Sequence, residues 1–301
     1  MHRRSGLSTA LALLCVSVLL RFASPVVAEP LEPRFHDIEY ATSAEGQPLL
    51  LDLYLPPASL HAPLLVWVHG GAWEFGSKSP MPLGPLVEHG YAVASVDFQP
   101  ASAARFPAQI HQIKAALRFL RAASGRYGYD AAHIGILGAS SGGHLAALVG
   151  TTNGNAQLEG ELGDYRDQSS AVQAIVSFFG ASNLTTILAQ STPYGVGVRT
   201  PALRRLLGNL PDENIALARL ASPVFHVDPS DPPLLLLHGD QDPQMPINQS
   251  HELAGAYEGA GLDAPFVVVH GAGHGGPLFF DGERLTIVAK FLDAHLGRVG
   301  S

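Results

Sequence analysis

Seven short apolar runs, separated by longer stretches that are amphipathic or broken by glycine and proline, constrain this chain more than any other feature. They are LLLDLYLP (Leu49 to Pro56), LLVWVH (Leu64 to His69), AVASVDF (Ala92 to Phe98), HIGILG (His133 to Gly138), AIVSFFG (Ala174 to Gly180), LLLLHG (Leu234 to Gly239) and FVVVHG (Phe266 to Gly271). Several are apolar at successive positions, so both faces of the strand must be covered. Central strands of a largely parallel sheet meet that demand, because crossovers between parallel strands lay helices on both faces. Between the runs, Pro107 to Ala123 puts Ile110, Ile113, Leu117 and Leu120 on one helical face, with Gln109, Gln112, Lys114 and Arg118 mostly off it. Gly142 to Gly150, His251 to Gly259 and Leu285 to Leu296 are further helix candidates. Strand and helix in regular succession predict a doubly wound α/β domain with a mostly parallel central sheet. The rhythm breaks from Ala181 to Ser222, rich in proline and glycine, which reads either as a small lid over the sheet's carboxyl edge or as a connection of short helices.

The first 28 residues read as a separate object. Arg3 and Arg4 precede an apolar run from Ala10 to Leu20, and Val26-Val27-Ala28 offers small residues to a signal peptidase. The run stops at Arg21, well short of the roughly 20 residues that a spanning helix needs. A cleaved secretory leader over residues 1–28 is therefore expected, with residues 29–301 as one mature domain, secreted or periplasmic and not inserted in a membrane. The single cysteine, Cys15, falls in the leader. Losing Arg3, Arg4 and Arg21 takes the formal net charge from −8 to −11, and such a surface repels nucleic acid.

GILGASSGGHLA, Gly135 to Ala146, joins a strand to a helix through a turn holding two serines. In a nucleophile elbow the residues two before and two after the serine must be small, since side chains there collide in the strained turn. Ser140 has Gly138 and Gly142 in those places, and Ser141 has Ala139 and Gly143. Position relative to the strand selects Ser140. Ser141 then opens the helix, where its backbone N–H and the helix dipole are placed to stabilise an oxyanion.

An activated serine needs a base and a group that orients the base. LLLLHGDQDPQMP supplies Asp240 and Asp242 after one strand, and FVVVHGAGHGG supplies His270 and His274 after the next. The reading favours Asp242 and His274: Asp240 adjoins the strand end and is expected to be held by its own turn, while His274 lies in a Gly-rich loop able to reach the serine. Asp240 and His270 are then structural, or support the reacting residues from behind. Upstream, LLVWVHGGAW delivers Gly70, Gly71 and Ala72 to the same sheet edge. Glycines there let the backbone approach a substrate carbonyl, so the expected oxyanion hole is the N–H groups of Gly71, Ala72 and Ser141, with His69 bracing the loop.

The HGGAW loop followed by GSK, FPAQIHQIKAALRFLRAASGRYGYD, GASSGGHLAALVG, ASPVFHV and HGDQDPQMPINQS together resemble the α/β-hydrolase esterases of the bifunctional carbohydrate acetyl/feruloyl esterase type. Hormone-sensitive-lipase-like esterases and kynurenine formamidases are close relatives of that group. The resemblance runs from about Tyr40 to Leu296 and implies an α/β-hydrolase fold with a small cap or none. It also implies a serine hydrolase working without metal or cofactor, and it matches Ser140, Asp242 and His274 to the family's catalytic triad. Two positions depart from the pattern: Asp97-Phe98-Gln99-Pro100 stands where Asp-Tyr-Arg-Leu is common, and Ser140-Ser141-Gly142-Gly143 where the elbow often reads Ser-Ala-Gly-Gly.

The function expected is hydrolysis of short-acyl carboxylic esters, on a small molecule or a carbohydrate carrying acetyl or feruloyl groups. The same triad would serve an amidase, formamidase or peptidase, because specificity resides in the pocket. A third class, a binding protein that kept the fold and lost activity, would leave the elbow serine unreactive. Trp73, Phe75, Phe98, Phe179 and Tyr194 are the candidate aromatic lining of an acyl pocket.

Overall fold

The computed structural model describes residues 31–57 and 61–297; the expected leader, Cys15 included, lies outside them. Eight strands form one sheet: β1 Phe35–Thr42, β2 Pro48–Tyr54, β3 Ala62–Val68, β4 Ala92–Val96, β5 Tyr129–Ala139, β6 Ala174–Phe178, β7 Leu234–Gly239 and β8 Phe266–Val269. Their order across the sheet is β1-β2-β4-β3-β5-β6-β7-β8. Strands β3 to β8 run parallel, while β1 and β2 add an antiparallel edge. All seven expected strands are present. The eighth, β1, has an exposed and irregular pattern with two register shifts against β2, as suits an edge strand with little apolar surface to hide.

The helices are α1 Gly84–Glu88, α2 Ala108–Tyr127, α3 Ser141–Gly150, α4 Ala156–Glu159, α5 Ile187–Gln190, α6 Pro193–Leu207, α7 Ile215–Leu220, α8 Asn248–Gly259 and α9 Gly282–His295. They cover both faces, so each strand contributes to two cores by alternation. Leu64, Val66 and Val68 of β3 join the core under α2, α3 and α6; Leu65 and Trp67 join the one under α1 and α9.

The pattern on α2 needs correction. Gln109, Gln112, Lys114 and Arg118, expected off the apolar face, are all buried. Each meets partners from other segments: Lys114 Nζ donates to Thr152 O at 2.7 Å and to Glu159 at 3.2 Å, and Gln112 Nε2 donates to Gln99 Oε1 at 2.6 Å. A buried polar side chain is tolerable only on such terms.

Residues 181–222 are built as short helices that pack inward, through Ala202, Leu203, Leu206, Leu207, Ala218 and Ala221. Helix α6 links two loops at the sheet's carboxyl edge. Thr192, at its start, donates from Oγ1 to Pro243 O at 2.8 Å, beyond β7; near its end, Leu206 O accepts from Phe106 N at 2.9 Å, beyond β4. Strand order reverses direction around β3, because the chain goes from β3 to β4 on one side and then to β5 on the other. A crevice at the carboxyl ends of β3 and β5 is where doubly wound sheets bind ligands.

Candidate active site

Ser140 stands at that carboxyl edge, between β5 and α3, with φ 55° and ψ −119°. A non-glycine residue holds such a conformation only where its surroundings enforce it. The enforcement is visible in the glycines around it. A Cβ on Gly138 would lie 2.2 Å from Gly142 O, and one on Gly142 would lie 2.1 Å from Val68 O. Gly70, on the neighbouring loop, would bring a Cβ within 2.8 Å of Ala139 O. Strand, elbow and upstream loop therefore close on one another through bare backbone.

From the serine a line of hydrogen bonds runs outward. Ser140 Oγ lies 2.9 Å from His274 Nε2, and His274 Nδ1 lies 2.7 Å from Asp242 Oδ2. Asp242 Oδ1 accepts the backbone N–H groups of Gln244 at 2.8 Å and Met245 at 2.9 Å. Burial of this carboxylate opposes its ionisation, but hydrogen bonds from His238 and His274 outweigh burial and hold the carboxyl below the ordinary aspartate range. Asp242 thus stays anionic, and its Oδ2 can only accept, which places the hydrogen of His274 on Nδ1 and leaves Nε2 free to accept from Ser140.

The other candidates pair with each other. His270 Nδ1 lies 2.8 Å from Asp240 Oδ2, and Asp240 Oδ1 accepts Gly271 N–H at 2.8 Å. His270 is 84% exposed. The expectation that Asp240 is held by its own turn is reversed: Asp242 has that anchorage, because its two-residue offset reaches the amides after Pro243, whereas Asp240 reaches across to the next loop.

The upstream loop departs from ordinary backbone at three successive residues, Gly71 (φ 121°), Ala72 (φ 56°) and Trp73 (φ 59°). Among the described residues, the N–H groups of Gly71, Ala72 and Ser141 donate to no backbone or side-chain acceptor, whereas those of Glu74 and Phe75 both donate to Gly71 O. His69 braces this loop, with Nδ1 2.7 Å from Gly70 O and its ring stacked on Phe98 at 4.5 Å. Trp73 is fully buried and donates from Nε1 to His144 Nδ1 at 3.0 Å; His144 Nε2 in turn donates to Ala221 O at 2.6 Å. Burial pushes the His144 imidazole down to about 4, so it is neutral.

Of the five aromatic residues expected to line a pocket, three belong to the interior. Trp73 and Phe98 are held as above, and Phe179 is 4% exposed, with its ring 5.0 Å from that of His274. Phe75 and Tyr194 are exposed, at 67% and 60%. They flank site loops: Phe75 closes the Gly71 turn, and Tyr194 precedes Gly195, whose Cβ position is 3.1 Å from the carbonyls of Pro243 and Gln244.

Two side chains that the sequence reading passed over touch the site. His238, inside β7, places Nε2 3.3 Å from Asp242 Oδ2; the signal was a histidine in an otherwise apolar strand. Arg199, on α6, is 1% exposed, with Nη2 3.5 Å from Gln244 Oε1 and no partner for Nε or Nη1 among the described residues. Nothing marked it in sequence, since its role depends on how α6 lies against the Asp242 loop. Among the described residues no group of three or more His, Cys, Asp or Glu side chains is placed to hold a metal ion.

The strand order and the elbow at the end of the fifth strand define an α/β-hydrolase fold. Residues 51–257 match the BD-FAE family, and the chain belongs to it. Esterase LipC of Mycobacterium tuberculosis is 31% identical over 79% of this chain and 59% of its own length. The chain spans between half and three-fifths of the length of the curated relatives LipC, LipQ and LipM. Among solved structures, a truncated form of a carbohydrate esterase from gut microbiota is 32% identical with a TM-score of 0.79, covering 89% of this chain and 98% of that one. A bifunctional GH43-CE protein of Bacteroides eggerthii is 35% identical with a TM-score of 0.78, over 86% of this chain and 35% of that one.

Proposed function

We propose that this chain is a secreted serine esterase that removes short acyl groups, acetyl or feruloyl, from carbohydrates. Ser140 Oγ attacks the ester carbonyl while His274 Nε2 takes its proton. Asp242 holds the imidazole in the tautomer that can do so and stabilises the imidazolium that forms. Negative charge on the tetrahedral intermediate falls to the N–H groups of Gly71, Ala72 and Ser141, each such donor being worth about 2.7–4 kcal/mol in the transition state. The proton on His274 then passes to the leaving alcohol, and water repeats the sequence on the acyl-enzyme.

The observation that carries this reading is the unbroken line from Ser140 Oγ through His274 to Asp242, at 2.9 and 2.7 Å. Similarity to a carbohydrate esterase supports the substrate class, and the exposed Phe75 and Tyr194 suit the ring of a sugar or feruloyl group. Secretion rests on the leader pattern of residues 1–28, and is checked by sequencing the amino terminus of exported protein, which should begin at Glu29.

A fluorophosphonate should label the wild type and not the Ser140→Ala variant. p-Nitrophenyl esters of increasing acyl length, run beside acetylated xylan, feruloyl esters and matched amides, then locate the substrate. Release of acetate or ferulate, with rates falling at long chains, is expected. Dominant turnover of amides or N-formyl substrates would overturn the ester assignment, and labelling that survives Ser140→Ala would overturn the nucleophile.

A further inference from the structure

The carboxylate behind His274 has a second imidazole against it. His238 is fully buried in β7. Its Nε2 lies 3.0 Å from Met245 O and 3.3 Å from Asp242 Oδ2, the same oxygen that meets His274 Nδ1 at 2.7 Å. Both neighbours of His238 Nε2 are acceptors, so that nitrogen carries a hydrogen. Nδ1 lies 2.7 Å from Ser250 Oγ on α8, which fixes the ring from its other side. By strand alternation His238 shares a face with Leu234 and Leu236, both members of the larger apolar core. A polar ring in that row is costly unless its nitrogens are engaged, and the engagements it makes converge on the Asp242 loop: Met245, whose carbonyl takes the hydrogen, also donates its own N–H to Asp242 Oδ1.

We propose that His238 is a positioning residue for ester hydrolysis: its Nε2–H, bonded to Met245 O, also bears on the Asp242 Oδ2 that meets His274 and thereby sets the pH at which His274 gives up its proton. The proposal rests on the reading of Ser140, His274 and Asp242 as the reacting line. An oxygen divided between two donors pulls less on either. His274 imidazolium is therefore less stabilised than it would be by an undivided carboxylate, and the free base persists to lower pH. Among the described residues, Arg199 on α6 feels the Asp242 carboxylate, and the Asp240–His270 pair lies on the same two loops as Asp242 and His274. Neither is altered in the comparisons that follow.

The test compares His238→Leu, which removes the donor, with His238→Gln, whose amide can present N–H near the position of Nε2. For each, kcat/KM for p-nitrophenyl acetate is followed against pH and the fold is checked by thermal melting. The acid limb of the Leu variant should rise by about half to one pH unit, a fraction of the shifts that close charged partners impose, and the Gln variant should return it most of the way. Ser250→Ala, which frees the ring to turn, should move the limb in the same direction by less. A Leu variant that loses activity equally at every pH, or that behaves as wild type, assigns His238 to packing and overturns the proposal. If the Leu variant does not fold, an unmoved limb in Ser250→Ala overturns it instead. Failure of the underlying reading is a separate result, namely turnover that survives Ser140→Ala.

Discussion

Replacing Asp242 by asparagine preserves the shape of the side chain, reverses its hydrogen bond with His274 and turns an N–H toward His238 Nε2. Oδ1 accepts two backbone N–H groups, from Gln244 at 2.8 Å and Met245 at 2.9 Å, and an amide nitrogen has no lone pair for that place. The new amide oxygen must occupy it, which turns the NH2 group toward His274 Nδ1, 2.7 Å from the present Oδ2. His274 Nδ1 then has to accept, so its hydrogen moves to Nε2 and faces Ser140 Oγ, where it blocks proton transfer. The wrong tautomer costs about 10⁴-fold in kcat, or about 5.5 kcal/mol at 1.36 kcal/mol per tenfold. Both turn hydrogen bonds survive, so the variant should fold. Initial rates on p-nitrophenyl acetate at neutral pH, with a melting curve alongside, measure the effect. Asp240→Asn is the control: its pair with His270 is exposed, and turnover should stay within about twofold, as for surface changes generally. An Asp242→Asn enzyme within tenfold of wild type would refute the claim that Asp242 governs the tautomer.

Other outcomes follow from the same geometry. Ser140→Ala should abolish turnover, whereas Ser141→Ala, which keeps the backbone N–H and removes a buried hydroxyl that has no partner, should retain most of it; steady-state kinetics separate the two. Gly142→Ala places a Cβ 2.1 Å from Val68 O, and should cost about 1–3 kcal/mol as overpacking, while Gly255→Ala in α8, with nothing within 4 Å, should gain about 0.5–1 kcal/mol; denaturant melts of both read the contrast. Asp231 is pushed up to about 6 by burial, so the folded state holds its proton more tightly than the unfolded one, and this group adds stability as pH falls through 6 toward the unfolded value. Asp231→Asn should therefore make the loss of thermal stability between pH 6 and pH 4 steeper than in wild type, measured by melting temperature in that window.

Much of the site was legible because each part demands an unusual residue type. The elbow needs glycine where Gly138 and Gly142 stand, since any Cβ there meets backbone, and chain order placed Asp242 and His274 on successive loops. The central strands were legible because burial on both faces erases alternation. β1 was not, since an edge strand with a polar pattern resembles a loop. The inward turn of Lys114 and Arg118 was hidden for a different reason: periodicity ranks a helix's faces by hydropathy, and Glu159, which neutralises those cations, is 41 residues or more away in the chain. Arg199 and His238 were missed likewise, because their significance lies in what another loop brings to them.

The Trp73–His144–Ala221 line fastens three separate parts of the chain with one uncharged ring. Above about pH 4 that ring accepts on one nitrogen and donates on the other. Once protonated it has two hydrogens to give and none to receive, and the indole N–H of Trp73 then faces another donor. The loop bearing Gly71 and Ala72 loses its clasp at that point, before any acid group of the Ser140 line is titrated. Acid inactivation should thus include a step seen in tryptophan fluorescence and absent in His144→Gln, whose amide cannot charge. One proton on this buried ring is thus expected to loosen the loop that carries Gly71 and Ala72.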